Sequence, residues 1–162
     1  MNLSALKSPP FRSYVVSLHL VLNGFWAQRV IIGWLAWEMT GSAGFVGLVA
    51  FLNFFPTLFV SPLFGVFADR IDVRKGSILS YALAGILSAL FAGLCIFGSP
   101  TPVLLALFSF VTGVISSANH PMRMSLTPRL APADDLPSVV AITSLNFNMS
   151  RLTGPAIGGI LI

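Results

Sequence analysis

Apolar stretches long enough to cross a bilayer recur along this chain, and no other feature limits its fold as severely. A helix needs roughly 20 apolar residues to cross about 30 Å of hydrocarbon at 1.5 Å per residue. Five segments approach or reach that length, with boundaries near residues 14–37, 43–67, 78–97, 102–119 and 138–162. Backbone polar groups in lipid must bond internally, which leaves helices and closed barrels, and runs this long without period-two alternation are helical. Hydrophobic residues make up 56% of the chain and charged residues 9%, against about a quarter charged in a soluble domain. The reading is an all-α integral membrane protein with five transmembrane helices.

The charges orient it. Lys7, Arg12, Arg70, Arg74, Lys75, Arg123 and Arg129 fall in the N-terminal segment, the second connection and the fourth, while the first and third connections carry no Lys or Arg. By the positive-inside rule those three segments and the N-terminus are cytoplasmic, which suits the inner membrane of a bacterium. Trp34 and Trp37 then lie near the outer interface, where indole rings are favoured. Lys7 and Arg12 also precede the first apolar run in the order of a secretory signal peptide. Arg29 interrupts that run and no small-x-small cleavage site follows, so the segment is read as a span. The fourth connection, PMRMSLTPRLAPADDLPS, is the longest and is expected to lie along the membrane surface.

Several chemistries are left without residues to carry them. The basic residues are spread over separate connections rather than gathered on one nucleic-acid-binding face. Cys95 is the single cysteine, so the chain has no internal disulfide or CxxC pair. His19 has no second ligand at useful spacing, and His120 with Asp134 and Asp135 is too sparse for a metal. No nucleophile, base and orienting group form a recognisable motif, nor does a glycine loop for phosphate, so neither an enzyme nor a cofactor is expected. Asp134 and Asp135 suit the N-terminal dipole of the fifth span.

The stretch from Gly65 to Lys75, GVFADRIDVRK, is a charged turn directly after a helix end. Asp69 falls where the helix's partial charge is negative, so it needs another partner, such as Arg70, Arg74 or a neighbouring helix N-terminus. Gly65 would let that neighbour approach closely, and Asp72 precedes the third span and suits its N-terminus. Taken as charge alone, this is a basic anchor. The spacing G-x-x-x-D-R-x-D-x-R between spans two and three, however, resembles the signature loop of the major facilitator superfamily. Asp72 in place of the usual glycine is similar to the branch containing enterobactin exporters and macrolide-type efflux proteins, whereas Val73 departs from a commonly basic position. The resemblance implies that Asp69, Arg70 and Arg74 bridge to the other lobe and stabilise one state of the transport cycle.

The fifth span contains RLTGPAIGG. Pro155 cannot bond the carbonyl of Arg151, so the helix is expected to bend or loosen there. Ser150, Gly154 and Gly158 recur every fourth residue as a close-packing face. With Pro155 and Gly159 they form G-P-x-x-G-G, which resembles the motif of drug and metabolite exporters in the same superfamily and implies efflux. The phrase SLNFNMSRLTGPAIGG and Gly41-Ser42 after the first span extend the resemblance over nearly the whole chain. The arginine that proton-exchanging members often carry in span four is absent from LFSFVTGVISSAN.

Polar residues inside the spans complete the picture. His19, Asn23 and Arg29 fall within about 120° of arc on the first span. Asn53, Thr57 and Ser61 follow i, i+4, i+8 on the second, and Ser144, Asn148 and Arg151 share a face of the fifth. These stripes suggest a water-accessible cavity, and interhelical hydrogen bonding is the competing account for the uncharged ones. An arginine at mid-helix costs roughly 2.5–3.5 kcal/mol, so Arg29 and Arg151 are functional candidates. Glu38 lies about 13 Å along the axis from Arg29, so a partner from another helix is expected.

Two functions fit. One is a secondary transporter working by alternating access, exporting a drug, siderophore or other metabolite, in contact with the bilayer, a small-molecule substrate and a coupling proton. The other is a small multi-span protein that binds a membrane partner without transporting. Because a lobe of the superfamily has six helices, the resemblance implies that the chain is most of an N-terminal lobe, a fragment lacking its sixth helix and the C-terminal lobe.

Overall fold

The structure, a computed structural model, describes residues 4–68 and 72–162, and the side chains of all of these except residues 65–68 and His120. The described residues form an all-α chain of five long helices: α1 Pro9–Thr40, α2 Ala43–Ala68, α3 Val73–Phe97, α4 Pro102–Leu126 and α5 Leu136–Ile160. Among the described residues four stretches are long and apolar enough to cross a membrane: Pro9–Thr40, Ala43–Phe64, Val73–Phe97 and Pro102–Leu130. α5, at 25 residues, has the length but carries Asn146, Asn148, Ser150, Arg151 and Thr153 along its middle.

Helix ends follow local chemistry more than hydropathy. α1 starts at Pro9 rather than near residue 14, since prolines in a first turn forfeit no intrahelical bond. It stops at Gly41, whose φ of 59° places it in the left-handed region glycine enters freely, and whose N–H bonds the Trp37 carbonyl at 2.7 Å. α3 starts five residues before the apolar run because Asp72 caps it, its carboxylate accepting from the N–H groups of Arg74 (3.0 Å) and Lys75 (3.2 Å). The fourth span was expected to end near residue 119 and give way to a surface loop; instead α4 continues through Pro121 to Leu126, with Met122 buried. Two 3-10 turns, Thr127–Leu130 and Ala133–Asp135, then lead into α5. α5 runs unbroken through Pro155, so the expected loosening does not interrupt the helix.

The chain packs as two compact units, one made of Met1–Ile31 with Met124–Ile162 and the other of Ile32–Arg123. In the second, Ile32, Ala36, Val49, Leu105 and Phe108 form the buried cluster, and Phe91 stacks on Phe108 with centroids 4.2 Å apart. α2 meets α4 at two small residues, Ser109 and Gly113. A Cβ on Gly113 would stand 2.4 Å from the Asn53 carbonyl oxygen. The Asn53 amide crosses the same seam to the Ser109 carbonyl (3.3 Å) and the Thr112 hydroxyl (3.2 Å). On α3, the Ser80 hydroxyl donates to the side-chain Oδ1 of Asn119 on α4 at 2.6 Å.

In the first unit Ala5, Phe11, Val139 and Ile142 cluster. The N-terminal segment is tied to the α5 start: the Ala5 N–H donates to the Ser138 hydroxyl at 3.2 Å, Ser8 donates to the Leu130 carbonyl at 2.7 Å, and Ser4 donates to Asp135. Large side chains such as Leu20, Leu58, Leu90 and Ile96 face outward and exposed. A surface of that kind aggregates in water and is stable against acyl chains.

Candidate functional site

In the first unit α1 and α5 lie side by side and parallel. Partners from Val15 to Asn23 on α1 are met by residues 127 to 131 positions later, from Asn146 to Thr153. Small residues permit the approach: a Cβ on Gly154 would fall 2.5 Å from Trp26 Cβ, and one on Gly158 2.8 Å from the Ala27 carbonyl oxygen. Gly159 has nothing within 4 Å, so of the two adjacent glycines only Gly158 belongs to the seam.

A polar network fills the half of the seam nearer the start of α1. Asn146 donates its amide N–H to the Val15 carbonyl at 3.0 Å, which turns its oxygen toward His19 Nδ1, 2.6 Å away. Asn23 donates to the His19 carbonyl at 2.8 Å, and the same nitrogen faces His19 Nε2 at 3.2 Å. An Nδ1–H donating to Asn146 with Nε2 accepting from Asn23 is the ring arrangement that matches both amides. Ser150 lies 3.1 Å from Nδ1 and accepts from Asn23 at 3.3 Å, and the Thr153 hydroxyl lies 2.6 Å from Asn23 Oδ1.

Beyond this network sits an aromatic and cationic cluster. Trp26 is flanked edge-on by Phe25 (5.6 Å) and Phe147 (5.9 Å). The Arg29 guanidinium lies 5.0 Å from the Phe25 centroid and 5.3 Å from that of Trp26, and Arg151 approaches the same indole from α5 at 5.6 Å. All three distances are within cation–π range. The indole Nε1 is buried without a hydrogen-bond partner.

His19, Asn23, Arg29, Ser150, Arg151, Gly154 and Gly158 are thus gathered on one helix pair. Asn148 points away, exposed, and donates to the Ser144 carbonyl of its own helix at 2.8 Å. Asn53 and Thr57 belong to the other unit, Asn53 bonded across α2 and α4 and Thr57 exposed. In the charged turn Asp72 and Arg74 meet at the α3 cap; Gly65 lies within α2, and Asp69 and Arg70 lie outside the described residues. Among the described residues no three His, Cys, Asp or Glu side chains gather as metal ligands. Sequence reasoning passed over Asn146, Thr153, Trp26 and Phe147. Asn146 had a signal, since it extends the every-fourth-residue row of Ser150, Gly154 and Gly158 by one step. Trp26 had none, because only its neighbours across the seam mark it out.

Comparison with known proteins gives the same direction. The chain is 31% identical to the enterobactin exporter EntS of Escherichia coli O127:H6 over 179 residues, covering 100% of this chain and 39% of that protein. It is 25% identical to the staphyloferrin A transporter of Staphylococcus aureus over 149 residues, 90% of this chain and 37% of the relative. The chain spans less than two fifths of the length of these relatives. No solved structure matches it. A family profile described as transmembrane secretion effector matches residues 1–162. The chain belongs to this transmembrane secretion effector family of the major facilitator superfamily.

Proposed function

We propose that this chain forms most of the N-terminal lobe of an exporter in a bacterial inner membrane, with its N-terminus cytoplasmic. In this reading it carries a siderophore, drug or other small metabolite outward by alternating access, working with a C-terminal lobe. The observation that carries the reading is the convergence of two arginines from transmembrane helices on one indole, Arg29 at 5.3 Å and Arg151 at 5.6 Å. Charges in lipid are costly and are kept where they bind or move something. Parallel packing of α5 along α1 supports a fifth crossing: a helix hydrogen-bonded along a spanning neighbour shares its depth, and Asn146, Ser150 and Thr153 face that neighbour rather than lipid. Names of relatives, an enterobactin exporter and a staphyloferrin A transporter, support export of a siderophore-like molecule.

In this reading Asp69, Arg70 and Arg74 act in the conformational cycle rather than in substrate contact. Coupling to protons would need a group other than an arginine in α4. The test is efflux from cells expressing the complete gene in a strain lacking its own exporters. Asp69→Asn should abolish export while membrane insertion stays normal. Export by Asp69→Asn at the parental rate would refute the assignment of that loop. A protein that inserts stably but moves no substrate in reconstituted vesicles would favour the partner-binding alternative.

A further inference from the structure

We propose that Lys7, Arg12 and Arg129 form a binding site for the phosphate of an anionic phospholipid such as phosphatidylglycerol, at the membrane surface where α1 begins. The site does not depend on what the protein exports. Its first ground is that the fold gathers three cations that the sequence scatters. Ser8 donates to the Leu130 carbonyl at 2.7 Å, and Lys7 and Arg129 each stand one residue before a partner in that bond. Arg12 sits one helical turn beyond Ser8, its N–H on the Ser8 carbonyl at 3.0 Å. The backbone beneath them is held in place: Ala5 and Phe11 are completely buried, the Ala5 N–H bonds Ser138, and Ser4 bonds Asp135. All three basic side chains are exposed above it.

The second ground is charge. Among the described residues none of the three side chains has an ion-pair partner. The acids of this unit are Asp134 and Asp135; Asp135 accepts from Ser4, and both stand at the start of α5, whose dipole they suit. Ammonium and guanidinium groups only donate, and phosphate oxygens only accept, an arginine meeting two at once. The third ground is depth. The 32 residues of α1 make about 48 Å against about 30 Å of hydrocarbon, so about six residues at each end reach the headgroup layer. Arg12 falls among the first six, and Lys7 precedes them. Tyr14, a residue favoured at that interface, lies 3.2 Å from the Thr127 hydroxyl, which sets the Thr127–Leu130 turn, and Arg129 on it, at the same level. Free inorganic phosphate would offer the same oxygens, but the next residues on the face of Arg12 favour lipid. Val16 and Leu20 follow it at i+4 and i+8 and are 58% and 68% exposed, so a headgroup on Arg12 lays its acyl chains along them.

The intact gene product is purified in a non-ionic detergent, and retention of radiolabelled phosphatidylglycerol on the immobilised protein is measured. Unlabelled phosphatidylcholine of the same chain length and inorganic phosphate serve as competitors. Saturable binding is expected, with phosphatidylcholine at least about tenfold weaker. Replacing all three cations, Lys7→Gln with Arg12→Gln and Arg129→Gln, should weaken binding about tenfold or more. Arg12→Lys with Arg129→Lys should stay within about threefold, and so should Lys75→Gln, which removes one positive charge elsewhere. In the parental protein, raising salt from about 50 mM to about 500 mM should weaken binding severalfold, a readout that needs no variant to fold. No saturable binding, equal competition by phosphatidylcholine, or an affinity indifferent to salt would overturn the proposal. So would unchanged binding by a glutamine variant that melts at the parental temperature, or an equal loss in Lys75→Gln. Displacement by inorganic phosphate as effective as by unlabelled phosphatidylglycerol would assign the patch to a soluble anion and overturn it as a lipid site.

Discussion

Gly154 shows how little a single residue needs to supply in order to organise a site. Its missing Cβ leaves room for Trp26, whose own Cβ would otherwise be 2.5 Å away, and for the Asn23 carbonyl at 2.9 Å. The second contact is backbone and cannot swing aside, so Gly154→Val should destabilise the purified protein by about 1–3 kcal/mol, the usual cost of overpacking. Gly159→Ala should leave thermal unfolding in detergent unchanged, because nothing lies within 4 Å. Equal behaviour of the two variants would contradict the seam as described. The neighbouring hydrogen bonds are individually modest, about 0.6 kcal/mol on average for side chains paired across helices in membranes. Asn23 makes several of them at once, so Asn23→Leu should lower stability by about 1–2 kcal/mol, read by the same melt.

Elements in this chain end where capping chemistry ends them, and α3 is the clearest case. Its first turn is held by the Asp72 carboxylate on two backbone N–H groups. Asp72→Ala should cost about 0.5–2 kcal/mol, whereas Asp72→Asn keeps an acceptor and should cost little. Comparing export by the two variants separates the cap from the loop's proposed role in the cycle. If Asp72→Asn folds normally and exports poorly, the charge matters beyond the cap; if both losses track stability, it does not. α4 repeats the lesson of α5 with different residues, since α2 packs against it at Ser109 and Gly113.

Orientation is a property of the whole molecule, set by where the basic connections fall. In a Cys95→Ser background, Ser42→Cys and Thr101→Cys should react with an impermeant maleimide added outside intact cells, and Lys75→Cys and Arg129→Cys only after permeabilisation. All four positions are exposed in the structure. The opposite pattern would invert the topology and place the charged turn outside. The same experiment checks the fifth crossing: Leu161→Cys should label with the outer pair.

Hydropathy in the sequence determined the fold class and the approximate spans, and charge predicts their direction, because lipid imposes those constraints on each segment separately, whatever its neighbours are. The glycine row of α5 and the charged turn were legible for the same reason, as local patterns. What tertiary structure decided was the use made of the polar residues. Asn23 and His19 read equally well as cavity lining or as helix glue until Asn146, Ser150 and Thr153 were found opposite them. Arg29 and Arg151, 122 positions apart in the numbering, came together only because two parallel helices without side chains in the way set both beside Trp26. Sequence periodicity defines a face; which face meets which depends on packing between segments distant in the chain.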